Sequence, residues 1–324
     1  MIFMIQKTLI YAIPLLIVAM AGMFAERSGI INIALDGIMI FGSFIGAVAV
    51  YLLQKNNVLT GHPQLIFLIA MAVAAISGAI FSLLLSFSAI NLKADQTIGG
   101  TALNLLAPAI TLFIIKIFFM QDKLVMPKDI GFVILKSDLS PVGRAFFDKA
   151  YISTYIVIAL FIVLSLFLYK TKTGLRIRAC GEHPQAADSA GINVHRMRYL
   201  GTTISGALGG LGGYIYIATT AGGTAEGTVA GMGFLALAIM IFGNWKPVTI
   251  ALGSLLFGLL KCLSVIYTQL DINGDGICSL AKLGLPMYFY NLIPYVTVLI
   301  VLAFTSKKSR APKAEGIPYD KGMR

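Results

Sequence analysis

The chain has 324 residues, 58% of them hydrophobic and only 12% charged, with a formal net charge of +11. Its mean hydropathy of +0.87 excludes a soluble globular protein, which needs far more polar surface to cover one core. The basic residues gather in a few loops between apolar stretches, so they read as topology determinants and no nucleic-acid partner is expected.

Apolar segments run over about 2–24, 29–53, 65–90, 98–120, 152–169, 199–219, 231–244, 248–270 and 287–305. Crossing a hydrocarbon layer of about 30 Å takes roughly 20 helical residues, and backbone amides in lipid must pair within a helix or a closed barrel. The runs are long and lack two-residue alternation, so the expected fold class is all-α. It is a polytopic integral membrane bundle of roughly eight to ten transmembrane helices spanning residues 1–305. The first segment, with Lys7 alone ahead of its apolar run, reads as an uncleaved helix.

The second segment opens on ERSGIINIALDG (26–37), interrupted by Gly29 and Gly37. If helical, it sets Asn32 and Asp36 one turn apart on one face. A carboxylate at bilayer depth costs about 2.5–3.5 kcal/mol on insertion scales and normally faces a partner or a water-filled cavity. Two readings stay open: Asn32 and Asp36 face a solute pathway, or Asp36 merely sits in a first helical turn where the dipole favours an anion. Glu26 and Arg27 read as interfacial. The string IMIFG at 38–42 recurs at 239–243, which suggests an inverted repeat or a coincidence of apolar composition.

Asn104, Gln269 and Asn291 are isolated polar residues in apolar segments, the usual sites of interhelical hydrogen bonds. Asn104, with Pro108 after it, is the best pathway candidate of the three. Lys116 can snorkel from a helix end, whereas Lys261 lies midway along its segment. The most basic internal loop, about 170–198, carries TGLRIRACGEHPQAADSAGI (173–192). Pro184 can start and Gly191 stop a two-turn helix that is unstable alone. Ala186, Ala187 and Ala190 would let another surface approach closely; an ordinary amphipathic connector is the alternative.

In GALGGLGG (206–213), Gly206/Gly210 and Gly209/Gly213 have the small-xxx-small spacing of close helix packing. Glu226 lies in a glycine-rich stretch ahead of the short segment 231–244, which is expected as a half-helix or a re-entrant piece rather than a full span. Glu226 either lines an outer mouth or is a solvated loop carboxylate. Residues 271–276 imitate the start of a calcium loop, but Lys282 stands where the bidentate glutamate belongs, so a turn is expected. The tail 306–324 is polar and is expected to be disordered and cytosolic, near anionic lipid heads.

No G-x-x-x-x-G-K-[ST] occurs, so the chain is not expected to bind or hydrolyse ATP itself. His62, His183 and His195 are scattered, and Cys180, Cys262 and Cys278 give neither a disulfide framework nor a zinc site. No catalytic set, metal or bound cofactor is expected. With the N-terminus outside and the C-terminus inside, fifteen basic residues fall on the cytoplasmic side and seven outside. The positive-inside rule selects that orientation.

Residues 26–37 resemble the signature ER-S-G-x-x-N-I-G-L-E-G of ABC importer permeases for nucleosides and simple sugars, within the wider ribose and branched-chain amino-acid group. Glu26, Arg27, Ser28, Gly29, Asn32, Ile33, Leu35 and Gly37 match; Ala34 and Asp36 replace glycine and glutamate. Residues 174–192 resemble that family's coupling loop, G-L-R-x-R-A-x-G-E-N-P-x-A-A-x-x-A-G-I, with His183 in place of asparagine. The resemblance implies a permease subunit of the bacterial cytoplasmic membrane. Gly181, Glu182, Pro184, Ala186, Ala187 and Gly191 would couple it to a cytosolic ATPase. A second permease subunit, the same or a homologue, and an extracytoplasmic solute-binding protein would complete an importer in which ATP is used by partner subunits. The form of the first motif favours nucleosides, with a ribose-like sugar as the alternative. From another class, an ion-coupled secondary transporter would not need the docking loop.

Overall fold

Glycine spacing organises the bundle around one helix. The computed structural model describes residues 2–59, 61–127, 132–134, 143, 146–266, 286–305 and 310–322. Its helices, in chain order, are α1 (Ile2–Arg27), α2 (Leu35–Lys55), α3 (Pro63–Ser86), α4 (Gln96–Ile114), α5 (Ile152–Lys170), α6 (Lys172–Glu182), α7 (Pro184–Ser189), α8 (Val194–Thr219), α9 (Met232–Phe242), α10 (Pro247–Ile266) and α11 (Met287–Thr305). Among the described residues, six helices are long and apolar enough to cross a bilayer: α1 to α5 and α10, with α3 and α4 each extended by a π-helical turn. The 26 residues of α8 rise about 39 Å, also a full crossing, but its first turns carry His195, Arg196 and Arg198.

The two glycine pairs of α8 face different neighbours. A β-carbon on Gly206 or Gly210 would run into α3 at Ser82, Gly78 and Ala74, while one on Gly209 or Gly213 would run into α2 at Ile38 and Met39. Gly212 abuts Val18 and Ile17 of α1. Residues four apart share a helix face, so the small-xxx-small pattern gives α8 backbone-to-backbone contact with α2 and α3 at once, while α1 packs the Val18 and Ile17 side chains onto Gly212.

Short segments close the two ends. At one, β1 (Leu124–Val125) pairs antiparallel with β4 (Thr224–Ala225), and β2 (Val133–Ile134) with β3 (Ala150–Tyr151). At the other lie Arg27, Lys93, the 170–193 loop, Trp245 and residues 310–322, joined by hydrogen bonds and ion pairs. Gln269, Cys278, Lys282 and residues 271–276 lie outside the described residues, as does the side chain of Asn291.

Candidate functional site

The second apolar segment does not begin as a helix. Residues 28–34 are unwound: Gly29 has φ +95°, and α2 starts only at Leu35. Asn32 and Asp36 therefore do not share a helical face, contrary to the sequence expectation, because Asn32 precedes the helix. An unwound stretch leaves backbone groups without helical partners, and in an apolar layer these must be met by side chains. Helix α4 supplies them. The Ile31 N–H donates to Gln96 Oε1 at 2.7 Å. Asn104 donates from Nδ2 to the Ile33 carbonyl at 2.8 Å and accepts from the Gly37 N–H at 2.7 Å.

The depth of this break follows from α8. Gly201 meets Ser28, Asn32 Nδ2 donates to Ser205 Oγ at 2.8 Å, and Gly213 meets Met39. Between Gly201 and Gly213 the helix rises about 18 Å, so the chain climbs from one face toward mid-bundle over residues 28–39. Asn32 is fully buried in that path.

Asp36 meets a second discontinuity there. The half-helix expected at 231–244 is α9, eleven residues long, starting at Met232 after Gly231 at φ +69° and with no side-chain cap of its own. Its orphan amides need an acceptor. Asp36 provides one from another helix: Oδ1 accepts from the Gly233 N–H at 2.9 Å, and the carboxylate also accepts from Phe234. A β-carbon on Gly233 would lie 2.5 Å from the Asp36 Cα, so the two helix starts touch. Tyr295 of α11 closes the far side, donating from its hydroxyl to the Ala230 carbonyl at 2.9 Å. Glu226 is exposed in the loop ahead of α9. The two IMIFG strings sit differently, one in the first turns of α2 and the other at the end of α9.

At the end where Arg27 lies, the loop of 170–198 forms a knob. Thr171 caps α6 through Gly174, and α7 starts at Pro184 with His183 Nδ1 accepting from Ala186 at 3.2 Å. Gly191, at φ +78°, ends the turn that follows α7. Ala186 and Gly191 are exposed, as are Glu182 and Gln185. Ala187 instead points inward, in a small apolar cluster with Cys180, Val194 and Tyr319. Burial pushes the Cys180 thiol up to about 11 against the pull of the Arg198 charge. Pro184 is buried.

The knob sits directly on the 26–29 turn. A β-carbon on Gly181 would overlap the Arg27 carbonyl oxygen and lie 3.2 Å from the Gly29 nitrogen. Arg27 reaches Glu182 at 3.4 Å and donates to the Trp245 carbonyl at 3.0 Å. Glu26, read from sequence as interfacial, is only 4% exposed and accepts from the Trp245 indole N–H at 2.6 Å. Sequence reasoning also missed Gln96, whose only signal was its place beside a helix start.

Lys261 lies 5.8 Å from the centre of the Tyr295 ring, a cation–π contact that accounts for its mid-segment position. Lys116 pairs with Asp122 at 3.6 Å on the surface, as a snorkelling lysine would.

Residues 4–302 match the family described as the permease component of the branched-chain amino acid transport system. The chain is similar to the guanosine ABC transporter permease protein NupQ of Bacillus subtilis, at 40% identity over 99% of this chain and 97% of that protein. It is also similar to the nucleoside ABC transporter permease protein NupC of Lactococcus lactis, at 39% identity over 98% of this chain and 96% of that protein. No solved structure matches the chain.

Proposed function

This chain belongs to the permease-component family of the branched-chain amino acid transport systems, and we propose that it is the membrane subunit of an ABC importer of nucleosides. The substrate class rests on the likeness to NupQ and NupC along nearly the whole chain. The observation that carries the mechanism is the α6–α7 knob. It is a small-residue turn whose outer face is exposed at Ala186 while its inner face meets the start of the unwound segment at Gly181.

In this reading the knob receives work from a cytosolic ATPase. Closure of the ATPases on ATP moves α7, and the backbone contact between Gly181 and Arg27 passes the movement to residues 28–34. That segment is joined through Asp36 to the start of α9, so both discontinuities shift together and the bundle alternates between outward and inward access. ATP binding can bias the bundle only because the knob's contacts differ between those states. Asn32, Asp36 and Asn104 shape the pathway by fixing the unwound segment and the half-helix; Glu226 stands at the outer mouth. No cofactor is held by this chain, and the ATP is used by the partner subunits. A second permease subunit and an extracytoplasmic binding protein complete the importer.

Orientation follows the positive-inside rule, with the knob and the 310–322 tail in the cytoplasm of a bacterial cell and the N-terminus outside. The grouping of Arg27, Lys93, Lys246 and the 170–198 cations at one end supports it. Because Cys180 is buried, the topology probe is Gln185→Cys in a background carrying Cys180→Ala, Cys262→Ala and Cys278→Ala. Its labelling by an impermeant maleimide is expected in inside-out vesicles and absent in intact cells. For coupling, Ala186→Arg is expected to abolish co-purification of the ATPase subunits together with nucleoside uptake. Retention of both would sink the docking assignment.

A further inference from the structure

The composition of the tail predicts disorder, yet residues 310–322 cross the face that carries the knob and pair with it through the backbone. The Ala314 N–H donates to the Gly181 carbonyl at 2.9 Å, and two residues later the Gly316 N–H donates to the Gly29 carbonyl at 3.3 Å. The first contact is on α6 and the second on the unwound segment. Further along, the Ile317 carbonyl accepts from Arg198 Nη1 at 3.0 Å, and Arg198 is only 1% exposed. The guanidinium is held between Gly29, where a β-carbon would lie 3.0 Å from Nη2, and this part of the tail.

The two ends of the crossing are anchored as well. Upstream, the Arg310 N–H donates to Asn244 Oδ1 at 2.7 Å, tying the tail to the turn after α9. Downstream, Tyr319 fills the apolar cluster behind α7 with Cys180, Ala187 and Val194, and its ring meets His195 edge-on at 5.6 Å. Asp320 pairs with Lys93, beyond the end of α3, at 2.7 Å. Thirteen residues therefore touch the inner side of the docking helix, the unwound segment, and the ends of α3 and α9.

We propose that residues 310–322 act as a strap that transmits displacement of the α6–α7 knob to the unwound segment 28–34. The two contacts lie two residues apart, so the chain between them can span about 7 Å at most. Turn hydrogen bonds from Glu315 to Pro312 and from Ile317 to Ala314 hold it compact, which leaves little slack between the parts they join. The strap works behind the knob: Tyr319 supports the inner face of α7 through Ala187, while Ala186 stays outward. Its residues are positioning residues and do not themselves meet the solute.

This inference rests on the importer reading, and the test separates the two. The assembled importer, with its partner permease, ATPase subunits and binding protein, is reconstituted in proteoliposomes, and nucleoside uptake is measured against ATP hydrolysed. Deletion of 310–324, and separately Tyr319→Ala, is expected to leave the ATPase subunits bound and hydrolysing while uptake per ATP falls about tenfold. Tyr319→Phe, which keeps the ring, is expected to restore it. Unchanged uptake per ATP in the assembled deletion complex overturns the strap. Loss of ATPase binding on deletion also overturns it, because the tail would then be part of the docking face. The importer reading is judged apart from this, by Ala186→Arg in the same preparation. Placement is checked in vesicles with a short thiol cross-linker between Lys93→Cys and Asp320→Cys, at an exposed pair 2.7 Å apart; failure to join them overturns the strap in chains of any activity.

Discussion

Gly181 and Arg27 are in backbone contact, 154 positions apart in a chain of 324 residues, with no room for a side chain on the glycine. Backbone oxygen cannot yield as the tip of a flexible side chain can. Gly181→Ala therefore has to lift the knob from the 26–29 turn. Overpacking of this kind typically costs about 1–3 kcal/mol. Uptake is expected to fall steeply in Gly181→Ala while Gly191→Ala, whose side chain would meet open space, is milder despite its φ of +78°. Nucleoside uptake normalised to membrane protein decides it, and equal activity of Gly181→Ala and wild type would refute the contact's role.

Asp36 serves the start of α9, which has no cap of its own. Asp36→Ala is expected to lower the stability of the purified protein by about 1 kcal/mol, the usual worth of a helix cap. Asp36→Asn keeps an acceptor but loses the charge facing the helix dipole, and should fall between the two. Thermal unfolding in detergent gives the order; an Ala variant as stable as wild type would remove the cap from the account.

Asn104 holds the unwound segment by one donated and one accepted hydrogen bond. Asn104→Leu leaves the Ile33 carbonyl and the Gly37 N–H unpaired, each at about 1–3 kcal/mol when buried. The variant is expected to unfold at lower temperature and to show faster amide exchange over 31–37 than over the middle of α2. Unchanged exchange there would contradict the assignment.

The strap carries a proton-sensitive group. Burial raises the Glu315 carboxyl to about 7, against the opposing pulls of its hydrogen bond with Glu26 and of the Arg27 charge. Those two are the charged groups beside it, and Glu182 bears on it only through Arg27. A carboxyl raised on docking binds a proton more tightly in the docked strap. Docking is then strongest below the ordinary carboxylate range, weakens as pH rises from there through about 7, and is weakest above. Glu315→Gln should remove this dependence. Tryptic cutting after Lys313, compared with the Gln variant at each pH, is expected to be faster for wild type at pH 8 and to converge at pH 5; parallel rates at both would exclude it.

What the sequence disclosed was what side chains encode. The half-helix was legible because 231–244 is short and apolar, and the packing of α8 because Gly206, Gly209, Gly210 and Gly213 repeat at helical spacing. The break at 28–34 was hidden, since Ile30, Ile31, Ile33 and Ala34 continue the apolar run into α2 and hydropathy is blind to φ. Its partners Gln96 and Asn104 look like ordinary polar residues until the backbone they satisfy is known. The tail was misread for a related reason. Its docking depends on the amides of Ala314 and Gly316 meeting particular carbonyls, and composition records no such pairing.

Helix α8 touches α2 at Gly213 and α3 at Gly206 and Gly210 through bare glycine faces, backbone against backbone. Such a seam has nothing to shear: a neighbour could not creep along it by part of a turn without atoms colliding. Helices α2, α3 and α8 must travel as a single rigid piece, and the flexing of a working cycle is left to the joint at Gly29, between α1 and α2, and to those at either end of α9.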